Sequence, residues 1–394
     1  MKAVLPAAEW TAREDLALLV AALGPGKVRW VGGAVRDTLL GSAVHDIDAA
    51  TPLTPQEVIA ACTKAGIRTA PTGIEHGTIT AIFPTGNVEV TTLRKDVETD
   101  GRRATVEFAE EWRDDAARRD FTINALYADP ATLEIHDYFG GLDDLEAHRV
   151  SFIGDARQRI REDYLRLLRY FRFQARFGSD LDQQAEDACR DLADGLRGLS
   201  RERVGWELQN LLELPDPSAT IARMRALGVL QVVLPETGKR EVEQLAALID
   251  EERRQHVGPD AIRRLAALLP AVPPVAEQVA ARLRLSRSQR AKLSCIAART
   301  PADAETPQAL AYREGVPCAI DRLLLFGADI DALRDWEPPQ FPLKGRDLLA
   351  EGAQPGPEIA RRLQAIEREW IARGFPQEDK QAMLAWEGDH DEPA

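Results

Sequence analysis

The strand-type segments of this chain all fall before Gly154, and the stretches beyond it carry helical periodicity. That asymmetry excludes an alternating βα fold, because the later helices have no strands to connect. Residues 28–31, 45–50, 78–83 and 87–92 read as short strands, the last two joined through Pro84, Thr85 and Gly86 as a hairpin. Helices are expected at 9–23, stopped by Gly24, Pro25 and Gly26, and at 34–40 and 55–65. The expected head is therefore an α/β domain over residues 1–150 with a small, partly antiparallel sheet. Helical periods follow at 155–178, 184–196, 200–213, 217–227, 241–255 and 260–269. Proline clusters at 270–274 and 338–342 interrupt them before an amphipathic helix at 357–373. This predicts an all-α neck over 151–215 and an all-α body and tail over 216–394, with an acidic, disordered end after Glu387.

A 44% hydrophobic content over 394 residues is enough for a real core and excludes wholesale disorder. The apolar run at 16–23 is far shorter than the ~20 residues that cross a bilayer, so no signal peptide or membrane span is expected. Cys62, Cys189, Cys295 and Cys318 form no C-x-x-C pair. Neither a disulfide framework nor a zinc site is expected, and a reduced cytoplasmic protein is the default. The net charge of −14 disfavours indiscriminate nucleic-acid binding. Residues 149–176 reverse it locally, with eight arginines against Asp155, Glu162 and Asp163. One basic stripe on an acidic protein points to a defined anionic ligand.

The segment Val31-Gly32-Gly33-Ala34-Val35-Arg36-Asp37 follows a strand and opens a helix, so backbone N–H groups can approach an anion closely. It is neither a dinucleotide fingerprint nor a P-loop, and such a turn also occurs in folds that bind nothing. Asp46-Ile47-Asp48 lies in the next strand, where period-two geometry puts both carboxylates on one face. Two adjacent acids repel unless a cation sits between them, which makes a divalent metal the natural compensation; two solvated acids at a strand end is the plainer alternative. Glu89, in a further strand, could complete a trio holding two Mg²⁺ ions for in-line phosphoryl transfer, or simply face solvent.

Gly-Gly-x-Val-Arg-Asp, then Asp-x-Asp, then residues 118–125 (Arg-Arg-Asp-Phe-Thr-Ile-Asn-Ala), then Glu162-Asp163-x-x-Arg166 together resemble the class II tRNA nucleotidyltransferase and bacterial poly(A) polymerase family. Residues 94–103 resemble that family's flexible loop. The resemblance implies a polymerase-β-like nucleotidyltransferase head with an all-helical remainder. It further implies that Gly33, Arg36 and Arg119 contact the nucleotide triphosphate and that Asp46 and Asp48 hold Mg²⁺, with Glu89 a third catalytic acid. Asp120 and Asn124 would organise the site, Asp120 also capping a helix start.

A continuous helix over 161–177 would make Asp163 and Arg166 i,i+3 neighbours, with Arg169, Arg172 and Arg176 on the same polar side and Leu165, Leu167, Leu168 and Phe171 opposite. Alone this is an amphipathic helix with a solvated arginine face; beside a triphosphate it becomes a nucleotide-binding wall of Asp163, Arg166, Arg169 and Arg172. An aspartate acceptor next to an arginine donor matches the amino group and ring nitrogen of cytosine and of adenine. Uracil and guanine present the reversed pattern, a mismatch of about 1–3 kcal/mol per bidentate pair.

The function implied is template-independent addition of C, C and A to a tRNA 3′ end from CTP and ATP. The alternatives are a poly(A) polymerase, an enzyme adding only A or only C, or a catalytically silent RNA-binding protein. Basic runs at 197–203, 253–254, 263–264 and 282–292, and the helix start at Gly356-Pro357, are candidate tRNA contacts or ordinary solvated faces. No His-Asp pair falls on a body helix, so a second, hydrolytic activity is not expected. The oligomeric state is not readable.

Overall fold

Arg29–Val31 forms β1, the strand from which the head is organised. The computed structural model describes residues 3–97, 105–177, 181–377 and 379–386. Eight further strands follow: β2 (Ile47–Thr51), β3 (Arg68–Gly73), β4 (Thr78–Ile82), β5 (Val88–Thr92), β6 (Arg94–Val97), β7 (Thr105–Phe108), β8 (Leu126–Ala128) and β9 (Ile135–Asp137). Six of these join β1 in one seven-stranded sheet in the order β3-β4-β5-β2-β1-β8-β9, and β6 pairs with β7 separately. Only β2 and β5 run parallel; the other pairs are antiparallel. The hairpin expected around Pro84 to Gly86 is the β4–β5 pair. Residues 98–103 of the proposed flexible loop, and the tail after Trp386, lie outside the described residues.

The head helices are α1 (Glu14–Leu23), α2 (Gly33–Leu39), α3 (Pro55–Lys64), α4 (Trp112–Ala117) and α5 (Gly141–Glu146). Thr54 and Glu57 form a reciprocal capping box on α3, with Pro55 in its first turn. Val31, Ala50, Leu93, Ala116, Ala125, Tyr127 and Ile153 pack into one core, so strands, loops and α4 share a single buried layer.

Helices α6 (Ala156–Glu162), α7 (Leu165–Phe177), α8 (Gln183–Leu192), α9 (Arg201–Leu212), α10 (Ser218–Ala226) and α11 (Val229–Val233) complete the first compact unit, which ends at Val233. Head and neck thus belong to one unit. The helix expected at 155–178 is interrupted. Asp163 is extended (φ −152°, ψ 105°), its backbone carbonyl accepts from the Arg166 N–H at 3.0 Å and its side chain from the Leu165 N–H at 3.1 Å. Tyr164 packs against Gly195, where an added Cβ would come within 1.9 Å of its ring.

The second unit, from Leu234, is helical: α12 (Lys239–Arg254), α13 (Ala261–Ala267), α14 (Pro273–Arg282), α15 (Arg287–Ala297), α16 (Pro307–Glu314), α17 (Val316–Leu325), α18 (Gly345–Ala350), α19 (Pro357–Ala372) and α20 (Lys380–Leu384). It corrects two expectations. Arg263 and Arg264 are 4% and 2% exposed and are locked to Glu252, with Arg263 also 2.9 Å from Asp321, so neither faces a ligand. Cys295 on α15 and Cys318 on α17 form a disulfide across 23 residues, a pairing that spacing alone does not announce. Among the described residues no helix is long and apolar enough to cross a membrane.

Candidate active site

Gly32 has φ +72° and ψ −125°, a conformation that side-chain-bearing residues rarely adopt, and it turns the chain from β1 into α2. Its Cα hydrogens face the Arg119 guanidinium and the Asn124 carbonyl, which would lie 3.6 and 3.7 Å from a Cβ there. Next to β1, β2 carries Asp48, which pairs in register with Val31 on one side and Glu89 of β5 on the other. Asp46 precedes the strand and is exposed, Asp48 is half-buried and Glu89 is exposed. Burial, together with the charges of Glu89 and Asp46, pushes the Asp48 carboxyl up to about 6 against the opposing pull of Arg119. The three acids therefore sense one another, yet among the described residues no three His, Cys, Asp or Glu side chains converge as a metal cage.

Arg119 is fixed from behind. Its Nε donates to the Tyr127 hydroxyl at 3.1 Å and its Nη2 to Asp115 at 3.1 Å, while the guanidinium lies 5.3 Å above the Tyr127 ring. Asp115, 1% exposed, also accepts from Arg118 (2.6 and 2.8 Å) and from the Tyr127 hydroxyl (2.6 Å). Burial works against its charge, but Arg119 and Arg118 outweigh it and hold the carboxyl at about 2. Sequence reasoning missed Asp115. Its spacing of three and four residues before Arg118 and Arg119 on the end of α4 was the available signal.

Arg36 is enclosed by its own neighbours. It is 4% exposed, donates to Asp37 at 2.8 Å and to the Asn124 side chain, and lies 5.1 and 5.5 Å over Phe173 and Phe177. Asn124 in turn donates to Asp120 at 3.0 Å. Asp120 does not cap an α-helix. It accepts from the Phe121 N–H at 2.9 Å, ahead of one 3₁₀ turn at Thr122–Asn124, and from Arg169 of α7 at 2.7 Å.

The break at Asp163 also corrects the arginine wall. Asp163 and Arg166 are not side by side on one helix: Asp163 accepts from Arg203 of α9 at 2.6 Å, while Arg166 donates to Glu162 (2.5 Å) and to the backbone carbonyls of Arg159 (3.1 Å) and Arg118 (3.0 Å). Further along α7, Arg172 donates to Glu207 at 2.7 Å and Arg176 lies 3.0 Å from Asp37. The stripe is an interlocked set of pairs. Gly32, Asp46, Asp48, Glu89 and Arg119 are gathered at one end of the sheet, while Arg169 binds Asp120 and Arg169 and Arg172 lie over Phe173 of their own helix.

The mixed sheet, the glycine turn and the strand acids define a nucleotidyltransferase. The model of the Poly A polymerase head domain matches residues 28–151, and that described as "Probable RNA and SrmB- binding site of polymerase A" matches 179–239. The mitochondrial CCA tRNA nucleotidyltransferase 1 of Danio rerio is 37% identical over 366 residues, spanning 87% of this chain and 83% of that protein. Its Homo sapiens counterpart is 35% identical over 382 residues, spanning 91% and 86%. The crystal structure of the Bacillus stearothermophilus CCA-adding enzyme in complex with CTP matches at 25% identity with a TM-score of 0.71, covering 93% of this chain and 94% of that one. The chain belongs to the CCA tRNA nucleotidyltransferase family.

Proposed function

We propose that this protein adds C, C and A in turn to the 3′ end of tRNA from CTP and ATP, releasing pyrophosphate at each step without a nucleic-acid template. The observation that carries this reading is the placement of Asp46 and Asp48 beside Glu89 and Arg119, in a chain 35–37% identical to CCA tRNA nucleotidyltransferases over most of its length.

The donor set suits Mg²⁺. That ion is characteristically held by one or two carboxylates plus substrate phosphates rather than by an all-protein cage, which agrees with two close aspartates and no third converging donor among the described residues. Burial and then the neighbouring charges of Glu89 and Asp46 raise Asp48 to about 6, and a divalent cation offsets the repulsive part. Asp46 and Asp48 hold the ion in this reading; bound there, it supplies the charge that acidifies a tRNA 3′-hydroxyl and offsets the negative charge on the leaving group.

The protein's own groups bind and orient. The Gly32-Gly33 turn and Arg119 receive the triphosphate, with Asp115 and Tyr127 keeping the guanidinium aimed. Asp163 accepts from the amino group of cytosine or adenine. Arg166 donates to the neighbouring ring nitrogen by exchanging one of its present acceptors, and Arg169 and Arg172 line the wall behind. The acceptor arm of tRNA is the expected partner, and we read the compartment as cytoplasmic, a point that cell fractionation decides, since the relatives compared above carry mitochondrial names.

The test is incubation with tRNA lacking its 3′ CCA, Mg²⁺ and each labelled nucleoside triphosphate, singly and together. Ordered C, C, A products are expected. Long adenosine tails on unrelated RNA select a poly(A) polymerase instead, and no incorporation selects a silent RNA-binding protein.

A further inference from the structure

The disulfide between Cys295 and Cys318 joins α15 to α17, with Cα atoms 6.4 Å apart. Other ties bind the same two helices. One turn away on each, Lys292 lies 3.1 Å from Asp321, which is also 2.9 Å from Arg263 of α13. Past the end of α15, Arg322 of α17 donates to the Ala298 carbonyl at 2.9 Å and to both oxygens of Asp303 at 2.7 and 2.9 Å. The helix pair therefore stays assembled whether or not the sulfurs are bonded.

What the covalent bond adds is closure of the chain between them, the segment that carries α16. Tyr312 of α16 donates to Glu367 of α19 at 2.6 Å and meets Trp370 edge-on, with 5.7 Å between ring centres. It packs against the tail core of Leu343, Leu348, Ile366, Trp370 and Met383, so the tail is docked on α16. When reduced, the Cys295 thiol has the Glu314 carboxylate at the end of α16 as its acceptor, 3.7 Å away. A thiol is a weak donor, and that contact holds α16 far less firmly than a bond closing 23 residues.

The two sulfurs also differ in access. Cys295 is half-buried and Cys318 is 9% exposed, so a small thiol or disulfide meets Cys295 first. Cys62 and Cys189 are buried.

We propose that Cys295 and Cys318 are a redox-sensitive staple: oxidised, they fix α16 and, through Tyr312, the tail helix α19; reduced, they release that segment while α15 and α17 remain paired. The oxidant is a low-molecular-weight disulfide. The Cys295 thiolate attacks one of its sulfurs and expels a thiolate, and the Cys318 thiolate then attacks the Cys295 sulfur of the mixed disulfide and expels the second. Two protein thiols give up two protons and two electrons, and one small disulfide becomes two small thiols. A reduced resting state rests on the cytoplasmic reading given above, since disulfides in a compartment that keeps thiols reduced are characteristically transient and redox-sensing. The staple itself rests only on the placement of the two sulfurs.

The experiment equilibrates the full-length protein, and its Cys295→Ser, Cys318→Ser and doubly substituted variants, with reduced or oxidised glutathione. It reads free thiols after denaturation, mass, thermal unfolding and backbone hydrogen exchange. Oxidised glutathione is expected to remove two of the four thiols, to raise the unfolding midpoint by about 5–10 °C and to slow exchange severalfold in α16 and α19. Cys318→Ser collects one glutathione, on Cys295, and Cys295→Ser collects none. The double variant responds to neither form. Four free thiols in the oxidised protein, chains linked to one another, or the same midpoint and exchange in both forms overturn the staple. A redox response that survives in the double variant belongs to Cys62 or Cys189 and overturns it as well. Slower exchange confined to α15 and α17, with α19 unmoved, defeats the link to the tail.

Discussion

Arg169 of α7 donates through Nε and Nη2 to one oxygen of Asp120, at 2.7 and 2.6 Å. The same arginine lies 3.5 Å from the buried Glu207 of α9, so one side chain ties a loop of the sheet domain to two neck helices. Glu207 is the member of this set with no solvent to fall back on. Glu207→Gln leaves Arg169 and Arg172 without their shared counter-charge, and a loss of about 2–3 kcal/mol is expected in urea unfolding. KM should rise for CTP and ATP alike while the choice between bases is kept, as steady-state kinetics will report.

Asp48 links stability to catalysis with a defined sign. Its carboxyl titrates near 6 in the folded protein against 3.8 ordinarily, so folding favours the protonated form. That contribution is present below about pH 4 and is lost as pH rises through about 6, leaving a penalty of about 3 kcal/mol in the metal-free protein at pH 8. Asp48→Asn is expected to raise the unfolding midpoint at pH 8 in the presence of a chelator, to leave it unchanged at pH 4, and to abolish incorporation. Calorimetry at the two pH values checks the first two outcomes.

Asp115 predicts the opposite sign. Its folded value of about 2 lies below 3.8, so its contribution holds at neutral pH and disappears as pH falls through about 2. Asp115→Asn should cost about 3 kcal/mol at pH 7 and release Arg119, weakening nucleotide binding. Tyr127→Phe removes the hydroxyl's bond to the same carboxylate and its acceptance from Arg119 Nε, and should cost about 2 kcal/mol. The two variants are compared by denaturant titration and by nucleotide affinity.

Gly32→Ala tests the turn. There is room for the methyl, since the nearest atoms are 3.6 Å away, but φ of +72° with ψ of −125° is strained for alanine. A loss of about 1–3 kcal/mol is expected together with a larger drop in triphosphate binding. Unaltered binding in a folded Gly32→Ala protein would remove the turn from the site.

Asp48 and Glu89 were legible as strand acids because alternation is a local signal, and β5 announced itself with Val88, Val90 and the turn before it; Asp46, read into the same strand as Asp48, instead precedes it. The helix break at Asp163 was not legible, because apolar periodicity runs through it; what stops α6 is an extended aspartate and a tyrosine packed on Gly195, a contact some thirty residues away in sequence. β8 and β9 were missed for a related reason. At three residues each they carry too little pattern, and they exist because β1 offers an edge to pair with. Arg36 shows the limit for single residues: its type suits a phosphate, and only the fold reveals its partners Asp37 and Asn124.

The arginines of α7 do not wait bare. Asp37, Asp120, Glu162 and Glu207 each occupy one or more of them at hydrogen-bonding range. Stray phosphate or an unrelated polyanion must evict a resident carboxylate to reach a guanidinium, and gains little by the exchange. If these side chains serve as the proposed nucleotide wall, they would open to a nucleotide held at the strand acids in preference to free anions.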